Sequence, residues 1–327
     1  MEFNRILIIQ TAFIGDVVLA TPIVRKLKAY YPHAEIDFLL RKGNDELLSH
    51  DPEINEILIW DKHNGKNREV FRLIRRIRAR KYDMVVNVQR FTSMGLLTCF
   101  SGAKFKIGFD KNPLSVFFDR RVPHQLSNVH EVERNLSLVS EFTDQDFVGP
   151  RLYVDQAIED SVSHLKKGDY IVIAPTSVWH TKQLPAKKWI SFVDQLAFNG
   201  NIYLIGGPED HKACEHIKVT VSRNHVSNLS GELSLLQSAA LIRDAQRNYV
   251  YDSAPLHFAS AFNAPVTAVT CSTVSDFGFG PLSDDQQIAQ RDGELECRPC
   301  GLHGHKTCPR GHFKCAEEIE ISAFKQP

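Results

Sequence analysis

Short apolar runs alternate with stretches of helical periodicity along the first half of the chain. A buried parallel strand reads as a continuous apolar run, whereas a covering helix shows apolar residues every three or four positions. The predicted strands are residues 5–10, 35–40, 56–60 and 82–88. Helices are predicted over 17–31, where Pro32 cannot continue the helix, and over 67–80. This alternation predicts a parallel sheet with helices on both faces.

The second half of the chain repeats the same alternation. Its predicted strands are residues 170–174, 201–205, 249–251 and 265–270, and its predicted helices are 186–198, 210–222, 234–243 and 255–262. The periodicity breaks between 150 and 168, where glycine, proline and lysine cluster. We therefore expect an α/β protein of two Rossmann-like domains, 1–160 and 161–327.

Composition narrows the range of functions. The 327 residues include 39 Lys plus Arg and 39 Asp plus Glu, so no overall basic field predicts a nucleic-acid partner. The apolar run at the N-terminus is too short for a signal peptide, and no stretch approaches the roughly 20 apolar residues of a membrane helix. We expect a cytoplasmic protein whose membrane contact, if any, is peripheral. Seven cysteines, an odd number, favour a reducing compartment.

Asp16 is the candidate acid–base residue of the first half. It follows the first strand, and ligands of open α/β sheets bind beyond the carboxyl ends of strands. A carboxylate there can accept a proton from a hydroxyl group. The alternative is that Asp16 caps the helix. The loop contains Gly15 alone, so it is not a dinucleotide-binding fingerprint, which requires three glycines.

Three loops of the second half are candidates for binding a phosphorylated ligand. In the first, Thr176, Ser177 and Lys182 offer hydroxyl donors and a positive charge, although the loop could equally be an exposed polar turn. In the second, Gly207 allows close backbone approach and Glu209 could bind a ribose hydroxyl, unless this is an ordinary turn.

The third loop leads into a helix N-terminus, which attracts anions. Its candidate residues are Asp252, Ser253, Ala254 and His257. Helix capping by Asp252 and a structural role for a buried His257 are the alternatives.

Two further clusters carry weaker signals. Four cysteines suit a structural zinc ion, although reduced thiols or disulfides formed on purification remain alternatives; they are Cys297, Cys300, Cys308 and Cys315, within the segment 297–315. Arg72, Arg75 and Arg76 share a helix face and could meet glycolipid phosphates, or form a solvated outer surface. No Asp-x-Asp motif stands at a suitable strand end, so no metal ion is required for chemistry.

The motifs RILIIQTAFIGDVVLATPIVRKLKAYYP, APTSVWHTKQLPAKKW, LIGGPEDH and YDSAPLHFASAFNAPVTAVTCST, in this order, resemble those of bacterial lipopolysaccharide heptosyltransferases, the ninth glycosyltransferase family. The resemblance runs from about residue 4 to about residue 318. It implies a GT-B fold, in which two Rossmann-like domains face a central cleft, with the acceptor on the first domain and the nucleotide-sugar donor on the second.

The resemblance also implies residue roles. Asp16 would be the general base, Lys182 would bind donor phosphate, and the residues from Asp252 to His257 would bind the donor. It implies inverting transfer from ADP-heptose to a glycolipid at the inner face of the inner membrane. Two alternatives stay open: a nucleotide-sugar epimerase of similar architecture, and a nucleotide-sugar-binding protein without activity.

Overall fold

The computed structural model describes residues 2–63, 65–126 and 128–327. The chain divides into two compact units, Met1–Tyr153 and Val154–Pro327. The boundary drawn from the sequence, after residue 160, falls within the first helix of the second unit, Gln156–Val162. Each unit has its own parallel sheet with helices, which confirms the predicted α/β class.

The first unit contains the strands β1 Arg5–Ile9, β2 Glu35–Arg41, β3 Glu56–Trp60, β4 Met84–Asn87, β5 Phe105–Phe109 and β6 Arg120–Val122. Its helices are α1 Ile14–Tyr30, α2 Lys66–Arg80, α3 Thr92–Cys99 and α4 Glu131–Leu136. The strand order is β3-β2-β1-β4-β5-β6, with Ile6 of β1 between Ile36 and Met84. The chain therefore changes direction across the sheet between β1 and β4, which is where Rossmann-like sheets bind ligands.

The second unit repeats this topology. Its strands are β7 Tyr170–Ile173, β8 Asn201–Leu204, β9 Val226–Asn228, β10 Asn248–Tyr251, β11 Val266–Thr270 and β12 Gln286–Gln290. Its helices are α5 Gln156–Val162, α6 Ala186–Gln195, α7 His211–Thr220, α8 Leu235–Arg243, α9 Ala254–Phe262 and α10 Lys314–Glu317. The strand order β12-β11-β10-β7-β8-β9 places the change of direction between β7 and β10.

Apolar helix faces bury both sheets. In the first unit Leu73 and Ile77 of α2 join Leu7 and Ile9 of β1 in one buried cluster. In the second unit the Trp189 ring of α6 packs edge-on to Tyr251 at 5.8 Å. Burial of such apolar area is the main force that holds each sheet to its helices.

Three predicted helix ends were wrong by a few residues. Helix α1 begins at Ile14 and not at 17, because the Asp16 carboxylate accepts a hydrogen bond from the Phe13 backbone N–H at 3.2 Å. Helix α6 ends at Gln195 and not at 198, since the Arg223 guanidinium donates hydrogen bonds to the backbone carbonyl groups of Leu196 and Phe198. Helix α7 ends at Thr220 and not at 222.

Within residues 2–63, 65–126 and 128–327, no helix combines the length and the apolar composition that crossing a bilayer requires.

Candidate functional site

Asp16 lies at the change of direction in the first sheet. It follows β1 and occupies the first turn of α1, where its Oδ2 accepts the 3.2 Å hydrogen bond from Phe13. The carboxylate thus caps the helix, as the alternative interpretation expected. Capping and proton acceptance are compatible, because both use side-chain oxygen atoms of Asp16 as acceptors.

Buried amides hold the loop that carries Asp16. Gln10 and Gln89, at the carboxyl ends of β1 and β4, are hydrogen-bonded side chain to side chain and almost fully buried. The Asn44 amide donates to the Ala12 carbonyl at 3.0 Å, and the Asn112 amide donates to the Gln89 carbonyl at 2.9 Å. These contacts fix the loop from neighbouring strands, so the position of Asp16 is set by the sheet.

A buried ion pair lies near Asp16. Glu131 and Arg134 of α4 are 7% and 2% exposed, and their Oε2 and NH1 atoms are 3.3 Å apart. Helix α4 is tied to α1, because the Asn135 amide donates to the Leu19 carbonyl at 3.0 Å. Burial raises the pKa of Glu131 to about 7, with Arg134 opposing the change and the charge of Asp16 adding to it. The first unit therefore contains a second titratable carboxyl group, whose pKa the charge of Asp16 raises.

In the second unit the loops after β7 and β10 meet at the change of direction in the sheet. Lys182 Nζ lies 2.5 Å from Asp252 Oδ2 and donates to the Asp252 carbonyl at 3.3 Å. Lys182 is 8% exposed. The contact joins two loops that are distant in sequence, and it brings a buried ammonium group to the N-terminal end of α9. A cation and a helix N-terminus are two separate attractions for a phosphate.

The remaining predicted residues belong to the same two loops and to the first turns of α9. Ser253 immediately precedes α9 and donates to the Tyr251 carbonyl at 3.3 Å, and Ala254 is the first residue of α9. His257 is 3% exposed and contacts the Phe279 ring edge-on at 6.4 Å. Thr176 and Ser177 are partly buried in the loop after β7.

The glycine loop follows β8, the strand beside β7. The backbone N–H of Gly207 donates to Asp210 Oδ2 at 2.8 Å, so Asp210 caps this turn. Glu209 is exposed. A Cβ atom on Gly207 would lie 2.8 Å from a Glu209 carboxylate oxygen. The loop is thus a capped strand-to-helix turn that leaves the Glu209 side chain accessible.

The arginines of α2 are partly neutralised by acidic neighbours. Arg72 Nε donates to Glu69 at 2.8 Å and lowers the pKa of that carboxyl group, and Arg76 lies 2.5 Å from Glu56. Arg75 is exposed. Arg72 and Arg76 line an open pocket of about 390 Å³. The acidic side chains Asp61 and Glu69 line the same pocket. Anion binding by this face would therefore have to compete with ion pairs that are already formed.

The side chains of the four cysteines of the segment 297–315 are free of disulfide bonds in the structure. Burial raises the pKa of Cys300, and the charges of Cys297 and Cys308 add to the effect, so these thiols lie in one neighbourhood. Cys315 is buried and its pKa is raised to about 11. In the described ranges, no three or more His, Cys, Asp or Glu side chains are arranged to hold a metal ion. A structural zinc site stays a prediction of the sequence.

Sequence reasoning missed the buried polar side chains that support these loops. The Tyr251 hydroxyl, fully buried, accepts hydrogen bonds from the Leu184 backbone N–H at 2.7 Å and from Trp189 Nε1 at 2.6 Å. It fixes the chain just after Lys182. A polar residue closing an apolar run, as Gln10 and Tyr251 do, is the sequence signal that was available for such positions.

Two Rossmann-like sheets, each with candidate ligand-binding loops at its carboxyl edge, are the elements of the GT-B architecture of nucleotide-sugar-dependent enzymes. Residues 70–310 match the model of glycosyltransferase family 9, the heptosyltransferase family. Lipopolysaccharide heptosyltransferase 3 of Escherichia coli is 32% identical over 279 residues, which cover 80% of this chain and 82% of that protein. The chain belongs to glycosyltransferase family 9, and the recognition made from its motifs is confirmed.

Solved structures agree on the fold. The E. coli ADP-heptose lipopolysaccharide heptosyltransferase II superimposes with a TM-score of 0.76 at 24% identity, covering 90% of this chain and 95% of that one. The E. coli heptosyltransferase WaaC with ADP-2-deoxy-2-fluoro heptose gives 0.72 at 18% identity, covering 90% and 96%. The protein is a glycosyltransferase, and the epimerase and inactive-protein alternatives are not favoured.

Proposed function

We propose that this protein is an inverting heptosyltransferase that transfers heptose from ADP-heptose to a lipopolysaccharide core or a related glycolipid. Family membership supports the sugar transfer, and the named relatives support the heptose, the ADP and the lipopolysaccharide. In this proposal the first unit binds the acceptor and the second unit binds the donor. The enzyme works in the cytoplasm, at the inner face of the inner membrane.

One observation supports the donor site above the others: buried Lys182 contacts Asp252 at the N-terminal end of α9, at the carboxyl edge of the second sheet. Here Lys182, the hydroxyls of Thr176 and Ser177, and the first turn of α9 with Ser253 would stabilise the departing diphosphate. Glu209 would bind a ribose hydroxyl beside Gly207. His257 would position the donor from within α9.

Asp16 acts as general base in this proposal. Its carboxylate takes the proton of the acceptor hydroxyl as the hydroxyl oxygen bonds to the anomeric carbon. The bond from that carbon to the diphosphate oxygen breaks, and ADP leaves with the bonding electrons. Inversion follows from this single displacement. The chemistry assigned to these residues needs no cofactor.

Arg72, Arg75 and Arg76 are proposed to contact anionic groups of the acceptor. Exposed Arg75 should contribute most, because Arg72 and Arg76 are engaged by Glu69 and Glu56. Single replacements of Arg75 and Arg76 by Gln, compared for acceptor KM, test this ranking. An equal KM for both variants and the wild type would remove this helix from acceptor binding.

The central test is a thermal-shift screen of nucleotide-sugar donors followed by kinetics of the variant Asp16→Asn. A ligand that binds the folded state alone raises the melting temperature, so ADP-heptose should give a larger shift than UDP-sugars. Asp16→Asn should bind ADP like the wild type and lose roughly 100-fold or more in turnover, as expected for removal of a general base. Turnover near the wild-type rate would exclude Asp16 as the base.

A further inference from the structure

The turn that carries Lys182 is held by residues 297–315, the cysteine-rich segment. Lys182 ends a single turn of 3-10 helix, His180–Lys182. The residue before it, Thr181, is 1% exposed. A fully buried hydroxyl group normally has hydrogen-bond partners, because leaving it without them is costly.

Thr181 meets the segment at both its backbone and its side chain. Its backbone N–H donates to the His305 carbonyl at 3.0 Å, and its Oγ1 accepts from the His305 backbone N–H at 2.7 Å. The Ser272 hydroxyl, just after β11, donates to the same Oγ1 at 3.1 Å. Thr181 therefore connects the segment to the carboxyl edge of the second sheet.

The approach at this point is close. Gly304 has φ +78°, and a Cβ atom on it would lie 2.8 Å from Thr181 Oγ1, 3.0 Å from Ser272 Oγ and 3.5 Å from Lys182 Cγ. Positive φ and this proximity both favour glycine at 304. One residue before Thr181, the His180 ring stacks on Phe313 with centroids 5.5 Å apart. The segment thus contacts the turn at two successive residues that precede Lys182.

We infer that the cysteine-rich segment is a positioning element of the donor site, with Thr181 as the positioning residue that fixes where the Lys182 ammonium group lies. This inference rests on the proposed role of Lys182 in binding the donor diphosphate. The segment would act on donor affinity although none of its own side chains needs to touch the donor. Its effect should therefore appear in nucleotide binding and in donor KM, and less in kcat.

The test compares Thr181→Val, which keeps the shape but removes the hydroxyl, with Thr181→Ser, which keeps the hydroxyl. Removing Oγ1 leaves the His305 N–H without its acceptor, so Thr181→Val should weaken ADP binding about tenfold, whereas Thr181→Ser should bind close to the wild type. The control is Thr98→Val in the first unit, because Thr98 is also fully buried and donates to the Met94 carbonyl at 2.8 Å. The Thr98→Val variant should lose about as much stability as Thr181→Val does, but it should bind ADP with the affinity of the wild type.

A second readout needs no ligand. Hydrogen exchange of the peptide that contains residues 179–184 should be faster in Thr181→Val and in Gly304→Ala than in the wild type. Unchanged exchange in both variants would show that the cysteine-rich segment does not fix the turn that carries Lys182, which would overturn the inference. Faster exchange with unchanged ADP affinity would overturn its importance for the donor site. A wild type that binds no ADP would instead contradict the proposed function, while the exchange data would still decide whether the segment fixes this turn.

Discussion

The buried pair near Asp16 makes a prediction about the pH dependence of stability. Burial raises the pKa of Glu131 from 4.5 to about 7, Arg134 and Arg90 oppose this, and the charge of Asp16 adds to it. Each pKa unit corresponds to about 1.4 kcal/mol, so ionised Glu131 reduces the free energy of unfolding by about 3 kcal/mol relative to the protonated form. Between the two pKa values the folded state holds a proton that the unfolded state has released. Stability from this group is therefore present below 4.5 and lost as the pH rises through 7.

The perturbation is Glu131→Gln, which keeps the shape of the protonated carboxyl group and cannot ionise. The free energy of unfolding, from urea denaturation, should fall from about pH 5 to about pH 8 in the wild type by roughly 2 to 3 kcal/mol more than in the variant. The comparison uses the difference between the two curves, because the other titratable groups of the chain are common to both proteins.

Glu133 provides the matched control, because it lies on the same helix and is exposed. Glu133→Gln should leave the pH curve of the wild type almost unchanged. Asp16→Asn should make this fall smaller and end it at a lower pH, since it removes a charge that disfavours ionised Glu131. Parallel curves for the wild type and Glu131→Gln would refute the assignment of the buried carboxyl group.

Three shorter predictions concern the second unit. Lys182→Met should weaken ADP binding about tenfold or more by calorimetry, because an ammonium group is lost from the proposed diphosphate site. Tyr251→Phe should lower the free energy of unfolding by about 2 to 4 kcal/mol, since two buried N–H groups lose their acceptor, and urea denaturation measures this loss. If the cysteine-rich segment binds structural zinc, metal analysis of freshly purified reduced protein should find about one zinc ion per chain. The Cys300→Ser variant should lose this ion, and a metal-free wild type would contradict the zinc site.

The elements that the sequence predicted well are those whose side chains are buried on both faces. Residues 170–174 were predicted as a strand and form β7, Tyr170–Ile173, in which all four residues are buried. The edge strand β3 was also predicted, with the same bounds, because its sequence EILIW is still an apolar run. The strands that were missed lie at or near sheet edges, where polar side chains replace the apolar run. β12, with the sequence QQIAQ, and β6, with RRV, are examples. An edge strand is paired on one side and partly solvated, so its sequence lacks the signal of a central strand.

The residues of the candidate site divide in a similar way, into those that the local sequence pattern predicted and those that it missed. Lys182 and Asp252 were identified separately because each follows an apolar strand, and the structure brings them into contact. Thr181, Glu131 and Tyr251 were missed, because their roles depend on partners far away in sequence. Gly304, for example, approaches Thr181 across more than a hundred residues of chain. Local pattern indicates where a loop begins, but the contacts that hold the loop form only when the sheet has assembled.

Asp16 combines a structural and a proposed chemical task in one carboxylate, and two substitutions separate them. Asparagine retains a side-chain oxygen that can accept the hydrogen bond from the Phe13 N–H, whereas alanine does not. Asp16→Ala should therefore lose about 1 kcal/mol of stability relative to Asp16→Asn, while both variants lose turnover. If asparagine restored both stability and turnover, the residue would act through the cap alone, and the proton acceptor would have to be another group. Glu131 would then be the next candidate, because it is the carboxyl group whose charge already senses that of Asp16.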